Sequence, residues 1–109
     1  MMYMEIGDMN VKIKIWLEYK GEQIIGPGLY RLLKNIEKTN SLSQAATECK
    51  YSYKYAWSKI KKAEARTNKD FVNATKGGYG GGGSMHLTEF AKEVIALYEK
   101  ELEKNKIKE

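Results

Sequence analysis

Two short helices parted by a tight turn over residues 41–66, followed by two short strands bracketing a glycine run, predict a winged helix-turn-helix. The fold class is mainly α with a small β-hairpin wing and a long C-terminal helix. A third observation is charge. Lys50, Lys54, Lys59, Lys61, Lys62, Arg66 and Lys69 face a single acid, Glu64, between positions 50 and 69. That window carries +6 in a chain of net charge +5, so the rest is close to neutral. Localised charge on a helix that also carries aromatics is what a helix reading DNA needs.

Size and composition narrow the field. With 109 residues, 42% of them apolar, the chain can bury one modest core and is expected to form one domain over residues 11–109. No apolar run approaches the roughly 18 residues of a membrane span, so no membrane partner is expected. The start, MMYMEIGDMN, has no basic region followed by an apolar stretch, and residues 1–10 read as a loose leader. Cys49 is the only cysteine, which excludes an internal disulfide and suits a reducing, cytoplasmic setting.

Taken in order, residues 11–19 alternate. Val11, Ile13, Ile15, Leu17 and Tyr19 share one face while Lys12, Lys14, Trp16 and Glu18 share the other, predicting a half-buried strand. Trp16, on the polar face, reads as a packing or dimer-interface residue. Lys20-Gly21-Glu22 signals a turn, and residues 23–25 a short return strand. Gly26-Pro27 opens a helix, because proline at the first helical position gives up an N–H that needs no partner. Leu29, Leu32, Leu33 and Ile36 recur at i, i+3, i+4, i+7, and Thr39-Asn40 closes the element.

Ser41-x-x-Gln44 then predicts a capping box for the next helix, with Leu42, Ala45, Ala46 and Cys49 as its buried stripe. Cys49 is expected to be a core residue. Ser52 is a good N-cap for a third helix running to about Arg66. Ala56, Trp57, Ile60 and Ala63 form the inward face, and Lys54, Ser58, Lys61 and Lys62 the opposite one. In a helix-turn-helix this element enters the major groove with its N-terminal residues near the base edges. Ser52, Tyr53, Lys54, Tyr55 and Ser58 are therefore the base-reading candidates. Ser43, Lys59, Lys61 and Lys62 are assigned to phosphates, which position the protein without reading sequence.

Residues 71–75 and 85–87 read as strands flanking KGGYGGGGS, with six glycines in the seven positions 77–83. An ATPase phosphate loop would need a Gly-Lys-Ser/Thr ending and a following helix, and neither is present. The stretch over 71–87 reads instead as a hairpin wing. Its tip lays Gly78, Tyr79 and Gly80 against phosphates, and Lys76 adds charge at the base. Thr88 caps the last helix, expected over 88–104. Its stripe of Leu87, Ala91, Val94, Ile95, Tyr98 and Leu102, widened by Phe90 and Leu97, exceeds what one small domain can cover. A homodimer through Val94, Leu97, Tyr98, Leu102 and Trp16 is the expectation.

These pieces together, WLEYKGEQIIGPGLYRLLKNIEKTNSLSQAA, then SYKYAW, then GGYGGGGSMHLT, resemble the DNA-binding domain of the ModE family of molybdate-responsive regulators. That domain is related to the LysR-type winged helix, and the resemblance runs over residues 11–104. It implies a dimeric regulator with the third helix in the major groove, the glycine hairpin on the backbone and the last helix pairing across the dimer axis. Three features depart from the family. Asn40 and Lys50 stand at turn positions where relatives favour glycine, which for Lys50 implies a strain of roughly 1 kcal/mol. A basic residue is common in relatives near Tyr79. The oxyanion-binding domains of the family have no counterpart in these residues, so molybdate binding is not carried over. A stand-alone DNA-binding protein, or one whose sensor is a separate chain, is the expectation.

The sequence therefore points to double-stranded DNA as partner and to no cofactor. The alternatives are a non-specific architectural DNA binder and a protein–protein module on the same fold. An enzyme lacks parts: His86 is the only histidine, with no second histidine, paired carboxylates or ligand set beside it. It is expected on a strand surface.

Overall fold

The computed structural model describes residues 3–75 and 83–107. Its order is β1 (Leu17–Tyr19), β2 (Glu22–Ile25), α1 (Pro27–Thr39), α2 (Leu42–Glu48), α3 (Tyr53–Thr67), β3 (Val72–Thr75), β4 (Ser84–Leu87) and α4 (Glu89–Lys104). The two hairpins, β1–β2 and β3–β4, are antiparallel and separate. This is a winged helix-turn-helix with a long C-terminal helix, the expected fold class. The wing-tip candidates Lys76, Gly78, Tyr79 and Gly80 lie outside the described residues.

Each helix begins and ends for a local reason. Pro27 starts α1 and Asn40, at φ 56°, ends it. Ser41, Ser52 and Thr88 cap α2, α3 and α4 by accepting from the amides of Gln44, Tyr55 and Ala91. Only half of the predicted capping box forms, because the Ser41 N–H goes to Thr39 Oγ1 at 3.3 Å. Lys20 and Gly21 both have positive φ, as a two-residue type I′ turn requires.

The core is one apolar cluster in which Ile25, Leu32, Leu33, Ile36, Ile60, Phe71 and Tyr98 are fully enclosed. The small Ala45, Ala46, Ala56 and Ala63 let α1, α2 and α3 approach closely. Tyr30 and Lys34 of α1 meet Glu99 of α4, at 2.6 and 3.5 Å. Burial by itself would lower the Lys34 pKa, but its bonds to Glu37 and the charges of Glu99 and Glu37 outweigh that and raise it.

Three expectations need correction. The first strand is confined to Leu17–Tyr19, and Val11 and Ile13 are 89% and 61% exposed. Its partner β2 is four residues long and the register slips between Leu17 and Glu18, so the earlier residues have no ladder to join. Trp57 is half-buried at the edge of the core, not fully inward. Tyr98 and Leu102, expected at a dimer interface, are 0% and 6% exposed. The Tyr98 hydroxyl donates to the Ile15 carbonyl at 2.9 Å and its ring lies 5.1 Å from that of Tyr30, so both residues belong to the chain's own core.

Candidate nucleic-acid interface

Helix α3 is the centre of the basic surface. With Ala56, Ile60 and Ala63 buried, the 3.6-residue period turns Lys54, Ser58, Lys61, Lys62 and Ala65 outward, and all five are exposed. No other segment of the described chain covers this ridge. Lys54 and Lys62 have no partner among the described residues. Lys61 does: its ammonium lies 3.0 Å from Glu64 Oε1 and 4.4 Å from the centre of the Trp57 ring.

The remaining predicted side chains divide between cap, surface and flank. Ser52 Oγ is committed to the α3 amide of Tyr55, so it acts first as a cap. Ser58 Oγ donates back to the Tyr55 carbonyl at 2.8 Å and keeps its lone pairs outward. Tyr53 is well exposed at the first turn. Tyr55 packs edge-on against Tyr51, with the Lys59 ammonium 5.2 Å from its ring.

One flank of α3 carries the wing. Glu64, whose side chain is only 10% exposed, accepts from the Phe71 and Val72 amides at 2.7 and 3.4 Å, fastening β3 to the helix. The Met85 amide donates to the Asn40 carbonyl at 3.0 Å, fastening β4 to the turn before α2. Between them opens a cleft of about 340 Å³ lined by the hydroxyls of Ser41, Ser43, Tyr53, Thr75 and Ser84. Ser43 and Tyr53, distant in sequence from the wing, are thus brought beside it. His86 is exposed on β4 with Nε2 3.1 Å from Ser84 Oγ, a strand-surface position as expected.

No protein-family model matches the chain. It is 35% identical over 91 residues to the transcriptional regulator ModE of Yersinia pestis, a match covering 84% of this chain and 34% of that protein. It is 32% identical over 90 residues to ModE of Haemophilus influenzae, covering 83% and 35%. Against the DNA-binding transcriptional dual regulator ModE of Escherichia coli K12 it is 33% identical over 91 residues, covering 84% and 34%. The chain is a homologue of the ModE transcriptional regulators. It spans about a third of the length of these ModE relatives. Two parts of the segments that carry the ModE resemblance belong to the region just described: SYKYAW caps and opens α3, and SMHLT forms β4 and the cap of α4.

Sequence reasoning missed several participants. Thr75, the last residue of β3, and Ser84, the first of β4, pair through their side chains, and both border the cleft. Their alternation within four-residue strands is too short to assign a face. Glu64 looked like the one acid in a basic run, whereas it is the strut holding the wing. Gly28 borders a recess on the other flank of α3, with the Tyr51 hydroxyl next to it. The Tyr51, Tyr55, Lys59 spacing of four was the available signal.

Proposed function

We propose that this chain is a sequence-specific DNA-binding transcriptional regulator that grips duplex DNA as a dimer. The observation that carries the reading is the open ridge of Lys54, Ser58 and Lys62 on a helix whose flank holds a wing. The names of the ModE relatives support it. In this reading α3 lies in the major groove with Tyr53, Lys54 and Ser58 toward base edges, and Lys62 toward phosphate. The wing, including Lys76, Gly78, Tyr79 and Gly80, follows the adjacent backbone. No catalytic step is assigned, and the setting is the cytoplasm.

Dimer formation rests on the back of the molecule. Phe90, Val94 and Leu97 recur at i, i+4, i+7 on α4 and border an apolar groove of about 360 Å³ with Leu17, Tyr19 and Ile24. Leu97 is 52% exposed, whereas Trp16, also exposed, does not border the groove and stands beside Gly26, so the proposed contact is carried by the α4 residues. A second copy covering this surface gives a two-fold dimer and half-sites about 10 bp apart or multiples of that.

The test is selection of bound sites from random duplex, followed by competition with random DNA. A palindromic consensus preferred by about a thousandfold or more is expected of a specific regulator. A ratio near one would replace this reading with a non-specific architectural binder.

A further inference from the structure

On the flank of α3 opposite the wing, a recess of about 250 Å³ opens between the start of α1 and the second half of α3. Gly28, Leu29, Tyr55, Ser58, Lys59 and Lys62 border it. We propose that this recess holds one phosphate group, that of the DNA strand on the side away from the wing; the inference rests on the DNA-binding reading above.

Three observations converge. First, cationic charge: Lys59 and Lys62 line the recess and Arg66 closes one end. Arg66 is already held by Glu22 at 3.1 Å and by the Gln23 carbonyl at 2.6 Å, so the two lysines are the uncommitted charges. Second, the Lys59 ammonium is positioned and not merely tethered. It stands 5.9 and 5.2 Å from the rings of Tyr51 and Tyr55 and beside the first turn of α1. Third, the donors at that turn are free. Gly26 offers no side-chain cap, Pro27 has no N–H, and the Gly28 and Leu29 amides have no acceptor among the described residues. Two amides and two ammonium groups around one small open volume match the two non-bridging oxygens of a phosphodiester.

Gly28 explains itself in this arrangement. A Cβ there would come 2.9 Å from Tyr51 Oη, 3.2 Å from Lys59 Cε and 3.3 Å from Lys59 Nζ. The absent side chain is what lets the lysine stand next to the amides. The placement relative to DNA follows from the helix itself. A helix in the major groove has a sugar–phosphate backbone on each side. The wing lies along the Tyr53 and Glu64 side of α3, and the recess along the Tyr55, Lys59 and Lys62 side, so each flank faces a different strand.

The experiment scans a selected duplex with single neutral methylphosphonates, using the full chain. For the wild type, one position per half-site is expected to lose about tenfold in affinity when its charge is removed. In the Lys59→Ala/Lys62→Ala variant the same replacement should cost less than about twofold, since the charge it would meet is gone. Gly28→Ala should blunt the same position, because its Cβ pushes Lys59 and Tyr51 away from the amides, while the helical circular-dichroism spectrum stays that of the folded wild type. Wild-type binding with no position coupled to Lys59 and Lys62, or an unaltered scan in Gly28→Ala, overturns the proposal while leaving DNA binding intact. If no duplex binds, the functional reading itself fails, and amide NMR with inorganic phosphate decides the recess. Saturable shifts at Gly28 and Leu29 that vanish in the double variant would assign it to a free oxyanion and overturn its role on DNA. Shifts shared by wild type and variant overturn the recess altogether.

Discussion

Helices α3 and α4 are the two longest in the chain and both bury one stripe, yet what they leave outside differs in kind. Beyond Ala56, Ile60 and Ala63, helix α3 presents lysines and hydroxyls. Beyond Ala91, Ile95, Tyr98 and Leu102, helix α4 exposes charges such as Lys92, Glu93 and Lys100, but on one flank Val94 and Leu97 stand beside an apolar groove. A solvated ridge of uncommitted charge attracts a polyanion at little desolvation cost. An uncovered apolar stripe attracts protein, because water is displaced from both surfaces at once. One small core thus carries two unlike surfaces on two helices, and each should fail in its own way.

The largest expected effect breaks the apolar side. Leu97→Glu places a carboxylate in the groove at a half-exposed position, so monomer stability should change by no more than about 0.5 kcal/mol. Sedimentation should show monomer where wild type is dimer, and affinity for a two-half-site duplex should fall roughly a hundredfold as the linked second contact is lost. Affinity for an isolated half-site should be untouched. A variant that stays dimeric would move the interface away from α4.

Next comes Glu64, which joins the basic helix to its wing. Glu64→Ala leaves the Phe71 and Val72 amides without their acceptor and Lys61 without its counter-charge. A loss of about 2–3 kcal/mol in urea unfolding is expected. Lys61→Ala, which removes only a half-exposed partner, should cost less than about 1 kcal/mol. Similar losses from both would mean that the ion pair, and not the backbone contacts, holds the wing.

Much of this was legible in the sequence, and the reasons are local. Caps at Ser41, Ser52 and Thr88, the proline start of α1 and the αL stop at Asn40 depend on a few neighbouring residues, and those patterns translate directly into geometry. The alternation over residues 11–19 misled because a strand needs a partner, which period alone does not report. Tyr98 and Leu102 misled for the complementary reason. A helical stripe shows that a face is apolar, not whether the segment at Ile15 and helix α1 of the same chain cover it. The ridge of Lys54 and Lys62 was readable from helical spacing, whereas the recess at Gly28 joins residues some thirty positions apart.

The polar side sharpens through the contrast between two adjacent lysines. Lys62 is exposed and unpaired among the described residues, while Lys61 is engaged by Glu64 and Trp57. Lys62→Ala should lower the slope of log affinity against log salt by about 1, alike on specific and random duplex. Lys61→Ala should lower it by clearly less. Lys54→Ala should instead relax preference at particular base pairs, each worth about 1–3 kcal/mol of discrimination. Equal slopes for Lys61→Ala and Lys62→Ala would show that the Glu64 pair opens when DNA arrives.

The smallest effect tests whether the turn between α2 and α3 matters to either surface. Lys50 holds φ 60°, a left-handed conformation that costs a β-carbon residue about 1–2 kcal/mol. Glycine removes that strain but adds freedom to the unfolded chain, worth about 0.5–1 kcal/mol in the opposite direction. Lys50→Gly should therefore raise stability by about 0.5–1 kcal/mol in urea unfolding, with dimer formation unchanged. Its salt slope on DNA reports separately. A slope equal to wild type makes Lys50 a turn residue whose charge lies away from phosphate, and a slope lowered by about 1 would extend the basic ridge back from α3 into the turn.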